Sequence, residues 1–124
     1  MMNNFINKTQ TYAIVGASNN PEKYGYKVTK HLKESGHKVI PINPKEQKIQ
    51  GIKACKTLND CNTKIDTVIF IVPPAVTEQV LKDMPKQIRK VWMQPGSESE
   101  KAINYCKDNS IECTHNTCLL KITE

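Results

Sequence analysis

The run Val68-Ile69-Phe70-Ile71-Val72 carries no polar residue, so it cannot be a strand with one wet face, and it is far too short to cross a membrane. Within Asp66–Val72 it reads as a parallel strand buried on both sides, and such a strand needs helices above and below it. The neighbouring segments supply them. Tyr12–Val15 is a second apolar run, ending at Gly16, after which Tyr24, Val28 and Leu32 recur on one face of a helix that carries Lys27, Lys30, Lys33 and Glu34 elsewhere. Gly36 stops that helix.

His37–Ile42 is a further strand, in which Pro41 favours edge-like pairing. Lys45–Cys61 reads as a loop, a short edge strand and one helical turn near Thr57–Asp60. Pro73-Pro74 opens a helix with Val76, Val80, Leu81 and Met84 as its apolar stripe, and Pro85 helps to end it. Arg89–Met93 is the next strand. Ser97-x-x-Glu100 has the spacing of a capping box ahead of a helix whose inward face is Ala102, Ile103 and Cys106. Ile111–Thr114 predicts a last strand, and Leu119, Leu120 and Ile122 a final docked turn or helix.

Strands alternating with helices over short connections predict an α/β fold of three layers, a parallel sheet of five to six strands with helices on both faces. An order such as 3-2-1-4-5 places a ligand crevice beyond the carboxyl end of the first strand, where the order reverses. With 124 residues the chain is expected to form one domain over 1–124, enough to bury roughly two-thirds of its unfolded surface.

Charge narrows the partner. Eighteen Lys and Arg against twelve Asp and Glu give a formal net charge of +6, which suits an anionic ligand. Nucleic acid is not expected, because the lysines are dispersed and only one Trp, four Tyr and two Phe are available to stack on bases. Five cysteines without a C-x-x-C pair point to reduced thiols rather than a disulfide framework or a zinc array. The N-terminal MMNNFINKTQ lacks an apolar h-region, so no membrane association and a cytoplasmic location are expected.

The crevice is bounded by the segments that follow the strands: Gly16 to Gly25, Asn43 to Lys45, Val72 to Ala75 and Gln94 to Ser97. Gly16 permits a sharp turn whose N–H groups, with the next helix N-terminus, form a phosphate site, to which Ser18 adds a hydroxyl and Lys23 a charge. The G-x-G-x-x-G fingerprint is absent. After the second strand, where NAD sites place a carboxylate on the ribose, the chain has Asn43-Pro44-Lys45. A lysine there suits a phosphorylated ribose, which leaves NADP, with its 2′-phosphate, and coenzyme A, with its 3′-phosphate. No hydrolase elbow or P-loop is present, and His31, His37 and His115 read as structural or solvated. Cys113, His115 and Cys118 lie close in sequence, but no metal is expected.

Taken in order, A-I-V-G-A-S-N-N-P-E-K-Y-G over 13–25, P-I-N-P-K over 41–45, V-P-P over 72–74, V-W-M-Q-P-G over 91–96 and Cys118 resemble the stand-alone CoA-binding-domain proteins. These are small Rossmann-like proteins similar to the N-terminal domain of the succinyl-CoA synthetase α subunit. The resemblance implies that Gly16, Ala17, Ser18 and Asn19 cradle phosphates with Lys23 and Tyr24 nearby, that Lys45 meets the phosphorylated adenosine end, and that Asn43 is a further binding residue. It also implies that Val72 and Pro73 line the crevice, that Met93, Gln94 and Pro95 face the pantetheine side, and that Cys118 is a candidate thiol site near the CoA sulfur. Gln94-Pro95 departs from the threonine and glutamate of the ligase pattern, so no carboxylate contact is expected there.

In the ligase, a further domain carries a phosphorylatable histidine, and this chain ends at Glu124, so ligase activity alone is not expected. The function expected is binding of coenzyme A or an acyl-CoA by a non-catalytic carrier, sensor or partner module, with a protein partner in view. The alternatives are a small NADP-dependent reductase or a CoA-dependent enzyme, for which only Ser18, Cys118 and His115 offer reactive groups.

Overall fold

The computed structural model describes residues 10–122, so the N-terminal residues 1–9, read above for a secretion signal, and Thr123 and Glu124 lie outside it. Five parallel strands form the sheet: β1 (Thr11–Val15), β2 (Lys38–Ile42), β5 (Thr67–Phe70), β6 (Lys90–Met93) and β7 (Glu112–Thr114), in the order β2-β1-β5-β6-β7. Between β2 and β5 a small antiparallel hairpin pairs β3 (Lys48–Ile49) with β4 (Ile52–Lys53). Four α-helices and a single 3-10 turn, Leu58–Asp60, complete the described elements: α1 (Tyr24–Glu34), α2 (Pro74–Asp83), α3 (Glu100–Asp108) and α4 (Leu119–Ile122).

Side-chain alternation divides the sheet into two cores. Tyr12, Ile14, Ile69 and Trp92 point to one face and pack with Val28 and Leu32 of α1 and Leu119 of α4. Ala13, Val15, Val68, Phe70, Val91 and Met93 point to the other and pack with Leu81 of α2, Met84 just beyond it, and Ala102 and Cys106 of α3. Both faces of β1, β5 and β6 are therefore dry, as their unbroken apolar runs require.

The chain runs from β1 outward to β2, then crosses back to place β5 on the other side of β1. That reversal opens the crevice between the two connections, at the carboxyl ends of β1 and β5. The order differs from the expected 3-2-1-4-5 because no full strand forms outside β2. Gln50 (φ 51°) and Gly51 (φ 80°) make a tight turn that folds this segment onto itself, and only a single parallel bridge, Ile42 to Cys55, remains at the sheet edge. β2 with its Pro41 is thus the last complete strand on that side, where a residue lacking an N–H is tolerated.

Two local expectations also change. The cap of α3 is Ser99, whose hydroxyl accepts from Ala102 N at 3.0 Å and donates to Glu78 at 2.7 Å, whereas Ser97 is buried and accepts from Val72 N at 3.0 Å. The capping-box spacing fitted Ser97, but the turn at Pro95-Gly96 draws that residue inward. Tyr24, expected on the buried face of α1, is 58% exposed because the first turn of the helix overhangs the end of the sheet, and Val76 is likewise exposed at the start of α2.

Candidate functional site

Gly16 turns the chain out of β1 at φ 103°, a conformation that suits glycine, and a Cβ there would overlap the carbonyl oxygen of Ile71. Gly25, in the first turn of α1, lies equally close to Gly16, where a Cβ would overlap the Gly16 carbonyl oxygen. The two glycines let the loop, the helix start and the end of β5 meet at one point. Gly25 carries no special φ, and only its placement one turn beyond the loop could have marked it in the sequence.

The loop is braced by its own side chains. Ser18 Oγ accepts from Asn20 N at 2.9 Å, and Asn20 Oδ1 accepts from Glu22 N at 3.0 Å. Asn19 reaches across to the hairpin, donating to the Lys48 carbonyl at 2.9 Å and accepting from Gln50 N at 2.8 Å. Asn43 joins the loops after β1 and β2: its Nδ2 donates to Ala17 O at 3.1 Å, and its Oδ1 accepts from Lys45 N at 2.8 Å and Glu46 N at 3.1 Å. With these partners used, the backbone N–H groups of Ser18 and Asn19 make no hydrogen bond among the described residues. Asn43→Ala removes one part-buried and two exposed bonds, and an expected loss of about 1–3 kcal/mol is checked by urea denaturation.

The helix ends beside the crevice are prepared for negative charge. Both α1, capped by Lys23, and α2, capped by Pro73, lack a side-chain cap and an acidic residue in the first turn. By contrast α3 has the Ser99 cap and Glu100. Unsatisfied N–H groups and the positive dipole end therefore face the crevice at α1 and α2.

Three hollows join there. An apolar pocket of about 380 Å³ lies between Gly16 and Val72 on one side and Leu58, Val76 and Val80 on the other. Pro44 and Lys56 link it to an open groove of about 990 Å³ beside the hairpin, lined by Lys45, Lys48, Lys53 and Lys56 with Glu46 the sole acid. Val72 links it to a third hollow of about 550 Å³ bounded by Tyr24, Pro73, Gln94, Pro95 and Cys118. None of these four lysines, nor Lys23, forms an ion pair among the described residues. The pocket wall formed by Lys56–Asn59 and by Val76 and Val80 was not singled out from the sequence as a site, since long-range folding alone brings it there.

The expected residues divide by what their side chains do. Lys23, Tyr24, Lys45, Pro73 and Pro95 are exposed around the track, and Val72 forms its shared wall. Ala17 is buried and offers only backbone, and Met93 is sealed in the core away from the hollows. Gln94 is buried with both carboxamide heteroatoms engaged: Oε1 accepts from Trp92 Nε1 at 3.0 Å and Leu119 N at 2.7 Å, and Nε2 donates to Cys118 Sγ at 3.5 Å. Its role is to fix α4 and Cys118. Cys113 turns to Met93 Sδ, 3.9 Å away, and among the described residues no three His, Cys, Asp or Glu side chains gather into a metal set.

A family model described as a CoA binding domain matches residues 10–124. The α subunit of an ADP-forming acetate–CoA ligase II of Pyrococcus furiosus is 42% identical over 82 residues, which cover 65% of this chain and 18% of the subunit. A similar ligase of Methanocaldococcus jannaschii is 39% identical over 67% of this chain and 12% of its own length, so the chain spans under a fifth of these ligase relatives. A conserved hypothetical protein of Pyrococcus furiosus superposes with a TM-score of 0.86 at 34% identity, covering 90% of this chain and 97% of that one. The matched family gives no support to the NADP alternative. No helix among the described residues is long and apolar enough to cross a membrane.

Proposed function

This chain belongs to the CoA-binding domain family, and from that premise we propose that it holds coenzyme A or an acyl-CoA along the three joined hollows, as a non-catalytic carrier, sensor or partner module in the cytoplasm. The observation that carries this reading is the Gly16 loop between two uncapped helix N-termini, flanked by unpaired lysines. The pyrophosphate is held by the N–H groups of Ser18 and Asn19 and the start of α1, where dipole and donors coincide. Lys23 adds charge at the rim.

The adenosine end enters the apolar pocket against Val72 and Val76, and its 3′-phosphate reaches the groove of Lys45 and Lys56. Pantetheine passes Val72 and Pro73 into the hollow at Tyr24 and Pro95, which brings its sulfur toward Cys118. Asn19, Asn43 and Gln94 act as positioning residues, because their side chains are spent on the loops that carry these contacts.

Ligand-linked thermal shift tests the assignment. A ligand at 100 times its Kd stabilises by about 2.7 kcal/mol, so affinity is read directly as a rise in Tm. Coenzyme A is expected to raise Tm most, dephospho-CoA less, and NADP and NAD least. In Lys45→Ala the gap between coenzyme A and dephospho-CoA is expected to narrow sharply. Equal shifts from the two in the unmodified protein would remove the role of Lys45, and no shift with coenzyme A or acetyl-CoA would remove the whole reading.

A further inference from the structure

Cys55 and Cys61 lie six residues apart and meet in space at the edge of the sheet. Cys55 is held there by its backbone, donating to the Pro41 carbonyl at 3.0 Å and accepting from Asn43 N at 2.9 Å. Cys61 follows the helical turn Leu58–Asp60, its thiol donates to the Thr57 carbonyl at 3.7 Å, and it lines the same surface cleft as Cys55. Both are half-buried and line one surface cleft with Ile40, Ile52 and Asp60, so small solutes reach them. The other paired thiol, Cys106 with Cys113, differs in that Cys106 is sealed in the core.

We propose that Cys55 and Cys61 are an oxidisable dithiol, closed to a disulfide by a hydroperoxide, and that closure remodels the wall of the apolar pocket. Burial and then Cys55 itself push the Cys61 thiol up to about 12, so Cys61 keeps its proton and the first attack falls to Cys55. Cys55 sulfur displaces water from hydrogen peroxide and becomes a sulfenic acid. Cys61 sulfur then attacks Cys55, the S–S bond forms, and the sulfenic oxygen leaves as a second water with the Cys61 proton. Two electrons pass from the two sulfurs to the peroxide.

The consequence for the pocket follows from what lies between the sulfurs. Cys55 is pinned to β2 by its backbone, so a cross-link tethers the intervening segment Lys56–Asp60 to that edge. Of this segment, Lys56, Thr57, Leu58 and Asn59 line the pocket beside Gly16 and Val72. This half of the inference rests on the reading of that pocket as the nucleoside site.

Trypsin cuts after Lys56, between the two cysteines, so the cross-link is visible as Ala54–Lys56 joined to Thr57–Lys64 in an unreduced digest. Hydrogen peroxide treatment of the reduced protein is expected to produce that species, and Cys61→Ser is expected to leave a sulfenic acid on Cys55 that dimedone traps. Both cysteines remaining open to alkylation, or a cross-link through other cysteines, would overturn the dithiol. Should Cys61→Ser fail to fold, the unmodified protein decides the point alone. By calorimetry the oxidised protein is expected to bind coenzyme A about tenfold more weakly than the reduced one, with oxidised Cys61→Ser unchanged. A cross-link without loss of affinity overturns the coupling. Reduced protein that fails to bind coenzyme A overturns the functional reading and the coupling with it, while the cross-link stands.

Discussion

Gly16→Ala is expected to destabilise the fold by about 2–5 kcal/mol and to abolish coenzyme A binding. A side chain at φ 103° carries left-handed strain of roughly 1–2 kcal/mol, and forcing it against the Ile71 carbonyl adds about 1–3 kcal/mol of overpacking. The neighbour cannot yield without loss. Ile71 N donates to the Val15 carbonyl at 2.8 Å, so moving Ile71 breaks the last link between β1 and β5 at the mouth of the crevice. Gly16 N also donates to Ile42 O at 3.5 Å, and Asn43 holds Ala17 O, so the disturbance reaches the loop after β2. The loss of binding follows from geometry rather than from unfolding, because the N–H groups of Ser18 and Asn19 are aimed by this turn. Urea denaturation gives the stability change, and calorimetry with coenzyme A under conditions where the variant is folded gives the second. A variant that stays within 0.5 kcal/mol of the unmodified protein, a range ordinary for surface changes, and binds normally would show that the turn is not what shapes the site.

Gly25→Ala offers an independent approach to the same point, since its Cβ would strike Gly16 from the side of α1. That close packing was not legible from the residues of α1, whereas Gly16 was, because it ends an apolar run. The same contrast runs through the molecule. β1, β5 and β6 could be read because each is apolar on both faces, and the crevice loops could be read because they follow those strands. The missing outer strand could not: Ile52 and Ala54 alternate as a strand should and Ile49 lies just before them, but the Gln50-Gly51 turn folds this segment into a hairpin whose cost and gain depend on neighbours. Ser97 has the capping-box spacing that Ser99, followed three residues later by Ala102, lacks, yet Ser99 becomes the cap because Val72 N and Glu78, both distant in sequence, engage the two hydroxyls. Lys56–Asn59 carries no site-like pattern at all and becomes a pocket wall only when Cys55 docks on β2.

Gln94→Leu is expected to cost about 3–5 kcal/mol, although the new side chain is close in size and more apolar. The loss comes from the hydrogen bonds removed. Gln94 is 2% exposed, and its single Oε1 accepts from both Trp92 Nε1 and Leu119 N, so the substitution deletes two buried bonds at roughly 1–3 kcal/mol each. Leu119 N is the first N–H of α4, so its release unlatches the helix that packs against α1. Cys118, held by Gln94 Nε2, is freed as well, and its alkylation is expected to quicken about tenfold, a local opening of roughly 1.4 kcal/mol. Gln94→Glu separates hydrogen bonding from shape. A carboxyl in this dry position has its folded pKa raised by burial, so below the unfolded value of about 4.3 it is neutral in both states and keeps an acceptor for Trp92 and Leu119. Above that pH the unfolded chain ionises first, so stability falls as the pH rises toward the folded pKa. Denaturation midpoints should therefore lie near those of the unmodified protein at pH 4 and well below them at pH 7, whereas Gln94→Leu should be weakened at both. If Gln94→Leu is as stable as the unmodified protein, the carboxamide is not the latch, and the docking of α4 must rest on the apolar burial of Leu119 alone.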